Sequence, residues 1–329
     1  MTSLNIREDD IPGLDGKVAI ITGTWYSGGS SGIGLATARI LLSRGAKVYV
    51  LDVNPIDDSD VGDAEINDAT DTRVDSNGSI EYIRCNITDW ASLRQAFLSV
   101  GHIDIAIANA GVSEECDYFA DTFDADGRLE EPVYAVLDVN YRAVLNFVKL
   151  SLSAFRRQGQ AGGSLVIVSS ATAYSPEQSL PVYSATKLAL VGLIRALRPS
   201  IHLYGATING VAPAATITKL LPADLAKPIM AAGAPVSNAR HVGLAVAFSA
   251  VASQARRVEG YGRDTEEQIL SAGRWNGRVI LTLGDRWTEL EEPLAGLRSQ
   301  WFGEWNTEMT GFQQKLTDMR PGHQEGSPA

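Results

Sequence analysis

Along the chain, short β-branched apolar runs alternate with longer segments whose apolar residues recur every three to four positions. Residues 18–22 form one such run and read as a buried strand. A Gly/Ser-rich stretch follows, then Ile33, Ala36, Ile40 and Leu41 at helical spacing, with Gly45 placed as a C-terminal cap. A second apolar run at 47–51 ends at Asp52. The same alternation predicts strands at 80–84, 103–108, 164–169, 206–211 and 278–283. It predicts helices at 89–100, with Asp89 as N-cap, at 132–152, and at 181–203, where Pro181 occupies the first turn that tolerates it. Strand–helix–strand units build parallel sheets. The predicted fold is therefore α/β: a doubly wound parallel sheet of Rossmann type, about seven strands, with helices on both faces.

Two segments exceed this minimal plan. Residues 54–79 are polar, acidic and long for a connection, which predicts a surface insertion. Residues 286–329 form a C-terminal extension, predicted to be disordered from about 317, where Pro, Gly and polar residues dominate. The remainder, 1–285, reads as a single domain. With 45% hydrophobic residues in 329, the chain can bury a substantial core. A net charge of −11 argues against nucleic acid or an anionic membrane surface as partner. No apolar run approaches the ~18 residues of a membrane span, and the acidic N-terminus lacks a secretory pattern. Cys85 and Cys116 are the only cysteines, which excludes a disulfide scaffold, and the four histidines are scattered, so no metal is expected. A cytoplasmic location is the expectation.

The chemistry gathers at the predicted carboxyl ends of strands, where open parallel sheets bind ligands. Between strand and helix, residues 22–34 read Thr-Gly-Thr-Trp-Tyr-Ser-Gly-Gly-Ser-Ser-Gly-Ile-Gly. Glycines there let the backbone approach a dinucleotide pyrophosphate, and the helix N-terminus offers unpaired N–H groups. Asp52 can accept both ribose hydroxyls of an adenosine and repels a 2′-phosphate. No Lys or Arg stands in the glycine turn or directly after Asp52, so NAD is expected in preference to NADP. Tyr183 and Lys187, four apart on one helix face, put an ammonium beside a phenol. That pairing is expected to lower the tyrosine pKa from about 10 towards useful acid–base chemistry. By itself the Tyr-x-x-x-Lys spacing is common. Ser169 and Ser170 end one strand, Asn109-Ala110-Gly111 another, and Asn140 lies within the long helical stretch.

This combination resembles the short-chain dehydrogenase/reductase family in its shorter, single-domain form, from about Gly13 to Gly284. The motifs are Gly32-Ile33-Gly34, Asn109-Ala110-Gly111, Asn140, Ser170, and Tyr183 followed by Ser, Ala, Thr and Lys187. The resemblance implies that Tyr183 exchanges the proton with an alcohol or carbonyl oxygen and that Ser170 orients that oxygen. It implies that Lys187 holds the nicotinamide ribose and lowers the Tyr183 pKa, and that Asn140 holds a relay water. Gly23, Ser31, Gly32, Ile33, Gly34, Asp52, Asn86, Ile87, Asn109, Ala110, Gly111, Thr216 and Thr218 are the implied cofactor contacts, alongside Tyr183 and Lys187. Residues 214–236 resemble the family's mobile substrate lid, and their apolar content suggests a largely apolar substrate. Relatives are often homodimers or homotetramers through the helices at 132–152 and 181–203.

The chain departs from the family pattern in three places. Eight residues, not three, separate Gly23 from Gly32, so Thr24 to Gly28 count as an insertion. It can bulge outwards, cover the adenosine or block it. Asn86 stands where the family often has Asp, and Ala214 where it usually has Gly. In the extension, Trp287, Trp301, Phe302 and Trp305 cluster, and Trp301 and Trp305 are spaced to share a helix face. They can pack on their own domain, wall the substrate pocket or form a subunit contact. The resulting expectation is an NAD(H)-dependent oxidoreductase interconverting a secondary alcohol and a ketone on a small molecule. The style of the sequence resembles fungal members acting in secondary metabolism. The alternatives are a cofactor-binding, non-redox or regulatory protein on this fold, or a redox-neutral epimerase or cyclase.

Overall fold

The computed structural model describes residues 2–23, 32–55, 79–159 and 162–320. Its strands are β1 (Ser3–Leu4), β2 (Val18–Thr22), β3 (Lys47–Asp52), β4 (Ile80–Arg84), β5 (Ile105–Ala108), β6 (Gly163–Val168), β7 (Ala206–Pro213), β8 (Thr216–Ile217), β9 (Ser237–Asn238), β10 (Ser253–Gln254), β11 (Gly273–Arg274), β12 (Val279–Leu283) and β13 (Arg286–Glu289). The main sheet runs β1-β13-β12-β7-β6-β5-β2-β3-β4. From β12 to β4 all neighbours are parallel. These are the seven expected strands. The sheet nevertheless has nine, because β13 folds back antiparallel on β12 and β1 pairs antiparallel with β13. Two strands of two and four residues are too short to show an alternating pattern, which is why the sequence did not reveal them. The sheet thus continues into the segment read as an extension. Strand order reverses between β2 and β5, which opens a crevice at their carboxyl ends.

The helices are α1 (Gly32–Ser43), α2 (Trp90–Val100), α3 (Ala135–Leu137), α4 (Ala143–Arg157), α5 (Pro181–Leu197), α6 (Ala223–Ala231), α7 (Ala239–Val251), α8 (Glu266–Ile269), α9 (Glu291–Gly296), α10 (Arg298–Phe302) and α11 (Glu304–Leu316). Side chains of successive strand residues go to opposite faces. Ile20 belongs to the buried cluster on one face, with Leu93 and Phe97 of α2, Phe147 and Phe155 of α4, and Leu190 and Ile194 of α5. Ile21 belongs to the cluster on the other face, with Ala38 and Leu41 of α1 and Val242 and Val246 of α7. Each such large side chain, fully buried, stabilises the fold by about 1.5–3 kcal/mol. Helix α7 was not expected. It is apolar around most of its circumference, so no stripe marks it, and it lies so close to α1 that a Cβ at Gly243 would stand 3.0 Å from the Thr37 amide.

Three boundaries differ from expectation, each for a local reason. Strand β5 starts at Ile105 because the Gln158 amide takes the Ile103 N–H (2.9 Å) and donates to the Ile103 carbonyl (2.7 Å). The stretch read as 132–152 opens at Ala135, passes through a π-turn at Asp138–Arg142 and runs on to Arg157. Helix α5 ends at Leu197, and a separate 3₁₀ turn spans Ile201–Tyr204. Asp89 caps α2 as expected, accepting from the amides of Ala91 (2.7 Å) and Ser92 (3.1 Å). Trp301 and Trp305 do not share a helix: Gly303, at φ 92°, separates α10 from α11, and both indoles are exposed. Past Thr317, Asp318 and Arg320 are buried and bonded to each other, contrary to the expected disorder. The Thr24–Gly28 insertion, most of 54–79 and the chain beyond 320 lie outside the described residues.

Candidate active site

The crevice is assembled by backbone ties at strand ends. The Thr22 hydroxyl, at the end of β2, accepts from the amides of Asn109 (3.0 Å) and Ala110 (3.1 Å), while Asn109 Nδ2 donates to the Thr22 carbonyl (3.2 Å). These bonds join the Asn109–Gly111 turn to the start of the glycine turn. Helix α1 begins there with Gly32 in the left-handed region at φ 60°. A Cβ at Gly34 would stand 2.7 Å from Asn109 Nδ2, so only glycine lets the helix end approach this turn. Gly23 donates its amide to the Leu51 carbonyl (2.7 Å). Ile33 packs at the edge of the core beneath. Ser31 lies outside the described residues.

Asp52 ends β3, 2% exposed. Its Oδ1 accepts from the Asn54 amide (2.9 Å), whereas its Oδ2 is buried without a partner. Burial is the main reason its pKa is pushed up to about 6; the backbone amides of Asn54 and Val53 and the charge of Lys219 oppose the shift. A buried carboxylate with a vacant lone pair suits a pair of ribose hydroxyls. That orphaned oxygen and the Gly32–Gly34 cradle are the features that fit a dinucleotide. Asn86 follows β4; its Oδ1 accepts from the Thr88 amide (3.0 Å) and hydroxyl (2.8 Å), which leaves its NH₂ as the group available to an adenine. Ile87 is buried in the core beside it.

The catalytic candidates converge from three elements. Ser170 follows β6 and caps a short 3₁₀ turn at Ala171–Ala173, accepting from the Thr172 amide (3.2 Å) and donating to the Pro213 carbonyl (3.4 Å). Tyr183 and Lys187 sit on the buried face of α5. The ammonium nitrogen of Lys187 lies 5.5 Å from the Tyr183 ring centroid and donates to the Val168 carbonyl (3.2 Å). Ser169 fastens this helix to β6 by donating to the Lys187 carbonyl (2.8 Å). Asn140 occupies the π-turn, a device frequent at functional sites. It accepts from the Val112 amide (2.8 Å) and donates to the Val112 carbonyl (2.9 Å), and keeps one lone pair and one N–H for water. Gly111 sits where a Cβ would come within 3.2 Å of Lys187 Nζ and 3.3 Å of Asn140 Oδ1. The Asn109–Gly111 turn, Asn140 and Lys187 therefore meet at one point.

The electrostatics differ from the expectation that Lys187 lowers the Tyr183 pKa. Burial dominates and raises the Tyr183 pKa, with the Ser170 side chain pulling it back. Burial also lowers Lys187 to about 8. Both groups are driven towards their neutral forms. Thr216 (β8) donates to the Ala214 carbonyl (2.9 Å). The Thr218 side chain lies against Gly32, 3.1 Å from where a Cβ would be, and its hydroxyl accepts from the Leu220 amide (3.2 Å). The 214–236 segment therefore rests on the mouth of the glycine turn.

Three contributors escaped the sequence reading. Glu114 Oε2 accepts the Tyr183 amide (2.8 Å), capping α5 from the Asn109–Gly111 side. Tyr174, four residues after Ser170, donates to Glu291 (2.8 Å). Glu291, from α9, also binds Arg195 through two 2.8 Å bonds and Arg198 at 3.2 Å, so the C-terminal segment clamps both the Ser170 loop and α5. No local spacing signals partners 117 and 96 residues apart.

The short chain dehydrogenase family model matches residues 17–227. A protein named short-chain dehydrogenase/reductase prx4 from Penicillium roqueforti is 55% identical over 97% of this chain and 90% of its own length. Short-chain dehydrogenase/reductase ATR7 from Stachybotrys chlorohalonatus is 44% identical over 98% of this chain and 96% of its own. A solved short chain dehydrogenase/reductase family protein superposes with a TM-score of 0.57 at 23% identity, over 82% of this chain and 97% of its own, which supports the fold. The resemblance drawn from the motifs, with its fungal character, is borne out. The chain belongs to the short-chain dehydrogenase/reductase family, oxidoreductases that act on CH–OH groups with NAD(P).

Proposed function

We propose that the protein interconverts a secondary alcohol and a ketone on a largely apolar small molecule, with NAD(H) preferred over NADP(H). The observation that carries the cofactor choice is the buried, unpartnered Oδ2 of Asp52. When bound, the nicotinamide supplies the hydride acceptor or donor. Gly23, Ser31, Gly32, Ile33 and Gly34 hold the pyrophosphate, Asp52 the adenosine ribose, and Asn86 and Ile87 the adenine side. Asn109, Ala110, Gly111, Thr216 and Thr218 line the remainder of the cofactor groove.

In the oxidation direction, Ser170 hydrogen-bonds the alcohol oxygen and Tyr183 takes its proton; in reduction Tyr183 returns it. The phenol alone is too weak a base in so buried a site. A protonated Lys187, present below about pH 8, stabilises phenolate as it forms and holds the nicotinamide ribose. Asn140 passes the proton to solvent through a water. The 214–236 segment acts as a lid, excluding water and supplying apolar walls. A homodimer or homotetramer, a cytoplasmic location and a role in fungal secondary metabolism go with this reading.

The test is a panel of apolar secondary alcohols and ketones, assayed by the absorbance of reduced nicotinamide with NAD(H) and NADP(H). Turnover with NAD(H) that is lost in Tyr183→Phe supports the reading. Turnover that survives Tyr183→Phe, or that favours NADP(H), contradicts it.

A further inference from the structure

At the opposite end of the sheet from the catalytic crevice lies a cavity of about 220 Å³. It opens at Ala206 and Thr207, the first residues of β7, whereas the crevice lies beyond its last residue, Pro213. At ~3.3 Å per strand residue the two are about 23 Å apart. Its walls come from the end of α5 and from residues 254–276, outside the 17–227 span of the family model.

Three guanidiniums line this cavity, those of Arg198, Arg257 and Arg274. Arg274 donates only through Nη2, to the Gly163 carbonyl (2.6 Å) and the Thr207 hydroxyl (3.1 Å). Among the described residues no carboxylate lies within ion-pair distance of it, and its Nε and Nη1 are unpaired. Arg198 is 7% exposed; its two Nη groups pair with Glu259 and Glu291, and its Nε is buried with no partner. The two carboxylates in the lining are shared out. Glu259 binds Arg198 and Arg298, and Asp264 binds Arg257 (3.5 Å) and Arg320 (2.8 Å). Cations therefore outnumber anions here, in a chain whose net charge is −11. Arg274 is exposed and has no carboxylate partner, so its free N–H groups face an anion arriving from solvent.

We propose that this cavity binds a small oxyanion, a phosphate- or carboxylate-bearing metabolite held by the free donors of Arg274 with Arg198 and Arg257. Its volume lies below the ~300–1,000 Å³ of drug-sized pockets, which sets the ligand as small. Arginine's planar fork matches the paired oxygens of such anions. Occupancy leaves the distant crevice open and reads out in stability.

The experiment is thermal unfolding of the full chain titrated with sodium phosphate and, separately, sodium succinate, each against sodium chloride at matched ionic strength. The expected result is a saturable rise in Tm absent with chloride. Phosphate alone assigns a phosphoryl ligand, succinate alone a dicarboxylate, and both a general oxyanion site. In Arg274→Gln the apparent Kd rises by about tenfold or more, the loss of a charge-assisted contact. Ser271→Asp, at an exposed lining position, adds a carboxylate without removing a buried side chain, and gives the same loss even where Arg274→Gln does not fold. No saturable rise with either anion, or a rise that the folded variants leave unchanged, overturns the proposal.

Discussion

Asp52→Asn separates what the fold needs from what the cofactor needs. Burial holds the Asp52 pKa at about 6 against an ordinary 3.8. A carboxyl whose pKa is raised on folding favours the folded state in its protonated form. Its contribution is complete below the unfolded value and is lost as pH rises through the folded one. Roughly two pH units at about 1.36 kcal/mol each give about 3 kcal/mol between pH 4 and pH 7. The Asn variant keeps the shape and the bond to the Asn54 amide but has nothing to ionise. Denaturant titrations of both proteins at steps from pH 4 to pH 8 therefore give a stability difference that moves by about 3 kcal/mol in favour of the variant, then stays flat. Any constant cost of an unpaired amide cancels in that slope. The same substitution weakens NAD, and in the unsubstituted protein NAD affinity falls as pH drops below about 6. Parallel stability curves for the two proteins would refute a buried, uncompensated Asp52.

Tyr183→Phe is expected to lose nearly all turnover while its NAD affinity, measured by calorimetry, stays within about twofold, less than ~0.5 kcal/mol. Lys187→Met removes an ammonium whose pKa burial has lowered from 10.5 to about 8. A depressed lysine costs stability as pH falls from its unfolded to its folded value, so the variant gains up to about 3 kcal/mol near pH 7 while losing activity. Glu291→Ala leaves the buried Arg198 with Glu259 alone among the described carboxylates and frees Arg195 and Tyr174, and should cost about 1–3 kcal/mol in denaturant unfolding. An unchanged midpoint would deny Glu291 its clamping role. Gly34→Ala drives a methyl against Asn109 Nδ2; NAD affinity falls and stability drops by about 1–3 kcal/mol.

The parallel strands and the Ser170, Tyr183 and Lys187 set were legible because each is written locally. A β-branched run, a glycine turn and an i, i+4 pair need no partner to be seen. Helix α7 was missed because a helix buried around most of its surface carries no polar stripe. Strand β1 was missed because two residues, Ser3 and Leu4, have no period. Glu114, Tyr174 and Glu291 act through pairs far apart in the chain, which only the closed sheet brings together. The Tyr183 pKa was misjudged for a related reason. The Lys187 spacing was visible, but the depth of burial that raises the Tyr183 pKa was not. The break at Gly303 likewise overrode the Trp301–Trp305 spacing, since a left-handed glycine ends a helix whatever the pattern across it.

The crevice built on Gly32, Gly34 and Asp52 is proposed to take NAD and to discriminate against NADP. Isothermal titration of the purified protein with each dinucleotide tests it directly. Saturable NAD binding is expected, with NADP weaker by about tenfold or more, a difference of ~1.4 kcal/mol that Asp52→Ala erases. Equal affinities in the unsubstituted protein, or no binding of either by a folded sample, would contradict it.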